Sequence, residues 1–155
     1  MTNIVINPAV VDALTAWAAP LRTHPWAYPV LEALHIVGIA LLLGNLVVIE
    51  LRVWGRGATL PMQALARLSL SLAVGGFALA MLTGALMFAS QAQELIGNRA
   101  FVIKMLLVMT AGVNAGILHA RGGLSKLDAW AKAQTALSLL IWLTVLALGR
   151  AIAYL

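Results

Sequence analysis

Three histidines, five carboxylates and a few amides and cations carry whatever chemistry this chain has. His35 stands inside LEALHIVGIALLLGNLVVIELRVWGRG, residues 31–57. That apolar run also holds Glu32 and Asn45, and it ends on Glu50, Arg52 and Arg56. A neutral imidazole offers one donor and one acceptor nitrogen. Glu32 lies one helical turn before His35 and is placed to hold the donor nitrogen, leaving the other nitrogen for a ligand. The bland alternative is an interhelical hydrogen bond with no ligand. His35 sits about 13 Å beyond Trp26 along a helix axis, too deep for a surface histidine.

Lys104 is the second conspicuous group, a few residues into NRAFVIKMLLVM. It can snorkel to the nearer surface, pair with Glu32, or meet an acidic cofactor group such as a haem propionate. A deprotonated lysine can also bind iron directly. His119, in ILHARGG, ends the same apolar run some 22 Å away from Lys104. His35 and His119 therefore differ by roughly 15 Å in depth and make a poor axial pair for one haem. His119 reads as a cation at a helix C-terminus. His24, in THPW, reads as interfacial and within reach of a cofactor at that surface.

The weaker polar positions have ordinary readings. Asn45, Thr83 and Asn114 suit interhelical hydrogen bonds. Glu50 and Arg52 are expected to pair with each other, or with Arg67 and Arg121. Gln134, Ser138 and Trp142 share one helical face, which is expected to look inward. Met81, Met87, Met105 and Met109 invite a copper reading, but core filling explains them better.

Composition dictates what must position these groups. Of 155 residues, 63% are apolar and 10% charged, against about 25% charged in soluble domains. Mean hydropathy is +0.98. Four apolar stretches approach the ~20 residues needed to cross a bilayer: Trp26–Glu50, Leu68–Ser90, Ala100–His119 and Ala133–Tyr154. The expected fold is all-α, an integral membrane up-down four-helix bundle. Residues 1–25 form an N-terminal interfacial segment and residues 26–155 the four-helix domain. Val10, Val11, Leu14, Trp17 and Leu21 line one face of a short helix from Pro8 to Leu21, suited to lying on a membrane. Glycines at 38, 44, 75, 76, 84, 112 and 116 would let helices approach closely, with Gly112 and Gly116 at small-xxx-small spacing.

The net charge of +5 comes from cations spread over helix ends and loops, with no dense patch for nucleic acid. Cysteine is absent, so there is no thiolate ligand. The N-terminal stretch lacks the basic and apolar regions of a cleaved signal peptide. Arg52, Arg56, Arg67, Arg121, Lys126 and Lys132 flank one side of the spans, whereas Arg22, Arg99, Lys104 and Arg150 lie toward the other. The positive-inside rule then puts both termini outside. Trp26 and Tyr154 would belong to the outer aromatic belt, Trp54 and Trp130 to the inner one.

The strings LHIVGIALLLGNLVVIELRVWG, TGALMF and NRAFVIKMLLVMTAGVNAGILH resemble a family of small bacterial four-helix membrane proteins of unknown function, over nearly the whole chain from His24 onward. The plan is more distantly similar to the bacterial haem-b protein that oxidises protoporphyrinogen and to the membrane domain of copper-resistance importers. The resemblance implies a histidine and a terminal arginine on the first span, matched by His35 and Arg52. The oxidase-like group adds a functional lysine on another helix, matched by Lys104. An aromatic WFAG-type segment is replaced here by IVGIALLLGN. A haem site therefore carries over, and the oxidase activity does not.

The leading expectation is a membrane haem-b protein that moves electrons, or the anchor subunit of a quinone-linked oxidoreductase. His35 would be the iron ligand, with Glu32, Lys104 and His24 around the cofactor. Its partners would be membrane lipids, a redox or respiratory-complex protein, a quinone and a second copy of the chain. A cofactor-free assembly subunit is the first alternative, a small copper or proton transporter the second. No Ser–His–acid or HExxH arrangement supports hydrolysis, and no catalytic residue is assigned.

Overall fold

The computed structural model describes residues 7–152. All regular structure among them is helical. Helix α1 spans Pro8–Thr23, opened by Asn7, whose side chain accepts from the Ala9 N–H at 3.0 Å. Proline at the first helical position costs nothing there, because that N–H has no intrahelical partner anyway. Helices α2 (Ala27–Val53), α3 (Met62–Ser90), α5 (Arg99–Ala120) and α7 (Ala129–Ala151) are each long and apolar enough to cross a membrane. Four such helices are the mark of a multi-pass membrane protein. Short helices α4 (Ala92–Ile96) and α6 (Gly123–Lys126) occupy the later connections. Asn98 and Asp128 cap α5 and α7, accepting from the first free N–H groups. Tyr154, assigned above to the outer aromatic belt, lies outside the described residues.

Helix α2 packs on α3, α5 packs on α7, and α2 meets α7. The first contact explains itself from the sequence of α3. Its buried positions include Ala66, Ser69, Ala73, Gly76, Ala80 and Thr83, alternating three and four residues apart and all small. That spacing is a left-handed seam of the coiled-coil type. Facing it, α2 buries Gly38, Leu42, Ile49 and Val53. The two backbones nearly touch where the glycines meet: a Cβ at Gly76 would lie 2.7 Å from the Gly38 oxygen, and one at Gly38 would lie 2.7 Å from the Ala80 nitrogen. The other glycines divide. Gly84 and Gly149 abut the His35 and Lys104 side chains, whereas Gly44, Gly75, Gly112 and Gly116 would each give a Cβ open space. The Gly112/Gly116 pair thus mediates no close approach within the described chain.

Interhelical polar links pin the remaining helices. Trp54, at the end of α2, donates its indole N–H to Thr135 of α7 at 3.1 Å. Asn114 of α5 donates to the Gln134 carbonyl of α7 at 3.0 Å. Gln134 is buried, and Trp142 stands edge-on to Phe77 of α3 with centroids 6.1 Å apart. The inward face expected of Gln134, Ser138 and Trp142 is therefore observed at Gln134 and Trp142. Asn45 does not bridge helices. It donates to the Leu41 carbonyl of its own helix at 2.8 Å, the local alternative open to a mid-helix amide. Trp54→Phe should cost about 0.6 kcal/mol, the average for an interhelical hydrogen bond in a membrane. Unfolding in detergent measures it, and no change would mean that the α2–α7 link is not made.

Candidate functional site

Helices α2 and α3 meet at His35. The imidazole Nδ1 lies 3.0 Å from Thr83 Oγ1 across the α2–α3 seam. The Thr83 hydroxyl has one proton to give, and it has its own carbonyls to give it to: Leu79 O at 2.7 Å and Ala80 O at 3.2 Å. Thr83 therefore accepts from His35 Nδ1–H, and in the neutral ring this puts the lone pair on Nε2. Gly84 follows immediately. A Cβ there would lie 3.0 Å from His35 Cε1, so glycine leaves the ring its room. From the other pair of helices, Lys104 of α5 rests against Gly149 of α7, where a Cβ would lie 3.3 Å from Nζ.

Thr83 occupies the role that the sequence suggested for Glu32. Glu32 is exposed. His24 ends α1 and accepts the Trp26 N–H on its own Nδ1 at 3.3 Å. Its lone pair is committed to the turn before α2, the reverse of the arrangement at His35. His119 lies exposed in the last turn of α5. Among the described residues no group of three or more His, Cys, Asp or Glu side chains gathers as a metal cluster would.

A cavity lined by Arg22, Tyr28 and Gln91 opens where α1, α2 and α3 meet. Gln91 donates to the Tyr28 hydroxyl, which frees the Tyr28 proton to point elsewhere. Arg22 is held nearby by Glu94 at 3.2 Å, and Asp12 of α1 accepts from Gln93 at 2.7 Å. The Arg22–Glu94 and Asp12–Gln93 links tie α1 to α4.

At the opposite end, the expected Glu50–Arg52 pair does not form. Arg52 donates to the Leu60 and Ala58 carbonyls of the α2–α3 connection at 3.0 and 3.1 Å. Arg121 is engaged by Gln134 at 3.2 Å, by Asp128 at 3.7 Å and by the Trp130 ring. Residues two apart on a helix point in different directions, so Arg52 leaves the helix toward the loop while Glu50 turns inward. No family model, curated protein or solved structure matches this chain.

Proposed function

We propose that the protein is a haem-b-binding electron-transfer protein of the bacterial inner membrane, or the membrane anchor of a quinone-linked oxidoreductase. One observation carries this reading: Thr83 Oγ1 lies 3.0 Å from His35 Nδ1 and 2.7 Å from the Leu79 carbonyl, an arrangement that supports the tautomer an iron ligand needs, with Nδ1–H held and the lone pair on Nε2. The residues fit the group. His35 would bind iron through Nε2, and the glycines at 84 and 149 keep side chains from crowding the ring and the amine. Lys104 would neutralise a propionate or supply the second ligand. The chemistry gained on binding is one-electron transfer, at a potential set by the ligands and the polarity around them.

The remaining placement belongs to the same reading. The four spans form an up-down bundle, both termini face outward, and α1 lies at the outer interface. Arg22, Gln91 and the free Tyr28 proton offer donors that a quinone carbonyl would accept. The open Gly112/Gly116 edge suits a second copy of the chain. The resemblance to haem-b membrane proteins adds the pairing of His35 with Lys104.

The test is a reduced-minus-oxidised absorption spectrum on protein purified from cells supplied with haem precursor, with haem quantified as the pyridine complex. Near-stoichiometric haem with sharp α and Soret bands is expected, and His35→Ala should lose both. A colourless, folded protein defeats the reading. It would favour a cofactor-free assembly subunit, which the His35–Thr83 bond also supports, because that bond locks α2 to α3 without any ligand.

A further inference from the structure

Glu50 is the one buried side chain among the described residues with orphaned polar atoms. It is 3% exposed, and neither carboxyl oxygen has a hydrogen-bond partner. It lies between Ile49 and Val53, which pack with Ala131 against Met62, Leu70, Leu118, Leu124 and Leu127. The buried residues beside it on α2 thus belong to an apolar cluster drawn from α2, α3, α5, α6 and α7.

The polar groups at this end are committed elsewhere. Trp54 donates to Thr135, Thr135 donates to the Lys132 carbonyl, and Asn114 donates to the Gln134 carbonyl. The cations are committed or turned outward. On α2, Arg52 binds the loop carbonyls. On α3, Arg67 is exposed, as are His119 on α5, Lys126 on α6 and Lys132 on α7. Arg121 is taken by Gln134 and Asp128. No countercharge reaches Glu50.

A bare carboxylate in such a place is too costly to persist. It must neutralise, and a proton is the smallest thing that neutralises it. Water is near enough to deliver one, because Trp54 caps the helix four residues on and the exposed connection 54–61 begins there. In the other direction, some 22 Å of helix separate Glu50 from His35. We propose that Glu50 is a proton-binding site that exchanges with the aqueous phase on the side of the α2–α3 connection: its carboxylate takes a proton from hydronium, releasing water, and returns it by the same route. The site is independent of the haem reading and holds for the cofactor-free protein.

Two measurements on purified protein in lipid test this. Dicyclohexylcarbodiimide attacks protonated carboxyls in apolar surroundings, and peptide mass mapping of the wild-type protein should find the adduct on Glu50 and not on Asp12, Glu94 or Asp128. Infrared difference spectra across a pH step should show the carbonyl band of a neutral acid, shifted in heavy water and lost in Glu50→Gln. Labelling spread evenly over the carboxyls, or an infrared signal unchanged by Glu50→Gln, overturns the proposal. Labelling blocked by sodium at constant pH overturns it too, because Glu50 would then hold a metal cation.

Discussion

Gly76→Ala should separate α2 from α3 and cost about 3 kcal/mol, the upper end of the range for overpacking. The added methyl would lie 2.7 Å from the Gly38 oxygen, 2.7 Å from Leu41 Cβ and 2.7 Å from the Leu42 nitrogen. Two of those atoms are backbone. They have no rotamer to change, so relief comes only by moving a helix, which loosens the packed seam from Ala66 to Thr83. Gly75→Ala is the control. It adds the same methyl to the same helix, one residue away, where nothing lies within 4 Å. Its effect should be near zero or a small gain, since alanine favours helix over glycine by up to about 1 kcal/mol. Unfolding both variants in mixed detergent, followed by circular dichroism, separates the cases. Equal stabilities would mean that the α2–α3 contact is not where the structure puts it.

Thr83→Val should have the second large effect, and it acts without touching any ligand. Valine keeps the shape of threonine and removes the Thr83 acceptor from His35 Nδ1. In unloaded protein the cost should be about 0.5–1.5 kcal/mol, that of one hydrogen bond. On the haem reading proposed above, haem affinity should fall roughly 10–100-fold, the loss expected when a group orienting a ligand histidine is removed. Thr83→Ser keeps the hydroxyl and should restore both. Haem titration against stability gives a clear division. A loss of stability with unchanged haem affinity would make Thr83 a helix lock and nothing more. Unchanged values for both would remove Thr83 from the site.

The apolar runs made the four spans readable, because a bilayer-crossing helix needs length and hydropathy above all. Their ends were less so. Helix α3 begins at Met62, right after Pro61, and not at Leu68, since one arginine near a helix end does not stop the helix. The short helices α4 and α6 carry too few residues to show a period. His35 stands out in the sequence as an imidazole inside a span, but the nearest charge, Glu32, is not its partner. Thr83 was visible in another way: the small residues from Ala66 to Thr83 recur at three and four, and that repeat marks the side of α3 that faces α2. Glu50 was misread for a similar reason. Opposite charges near each other in sequence suggest a pair, yet Glu50 and Arg52 are spaced to diverge on a helix. Helical geometry, applied before charge, would have found both.

The packing order also bears on how the chain is made. Helix α2 finds its main partner in α3, and α5 finds its own in α7, so each helix docks on the next span in the chain or the one before it. The first hairpin can close in the bilayer before the second has left the ribosome. Severed between Ile96 and Asn98, the chain becomes two helical hairpins that meet along α2 and α7 and share the core around Ile49, Val53 and Ala131, an arrangement suited to complementation between separately expressed halves.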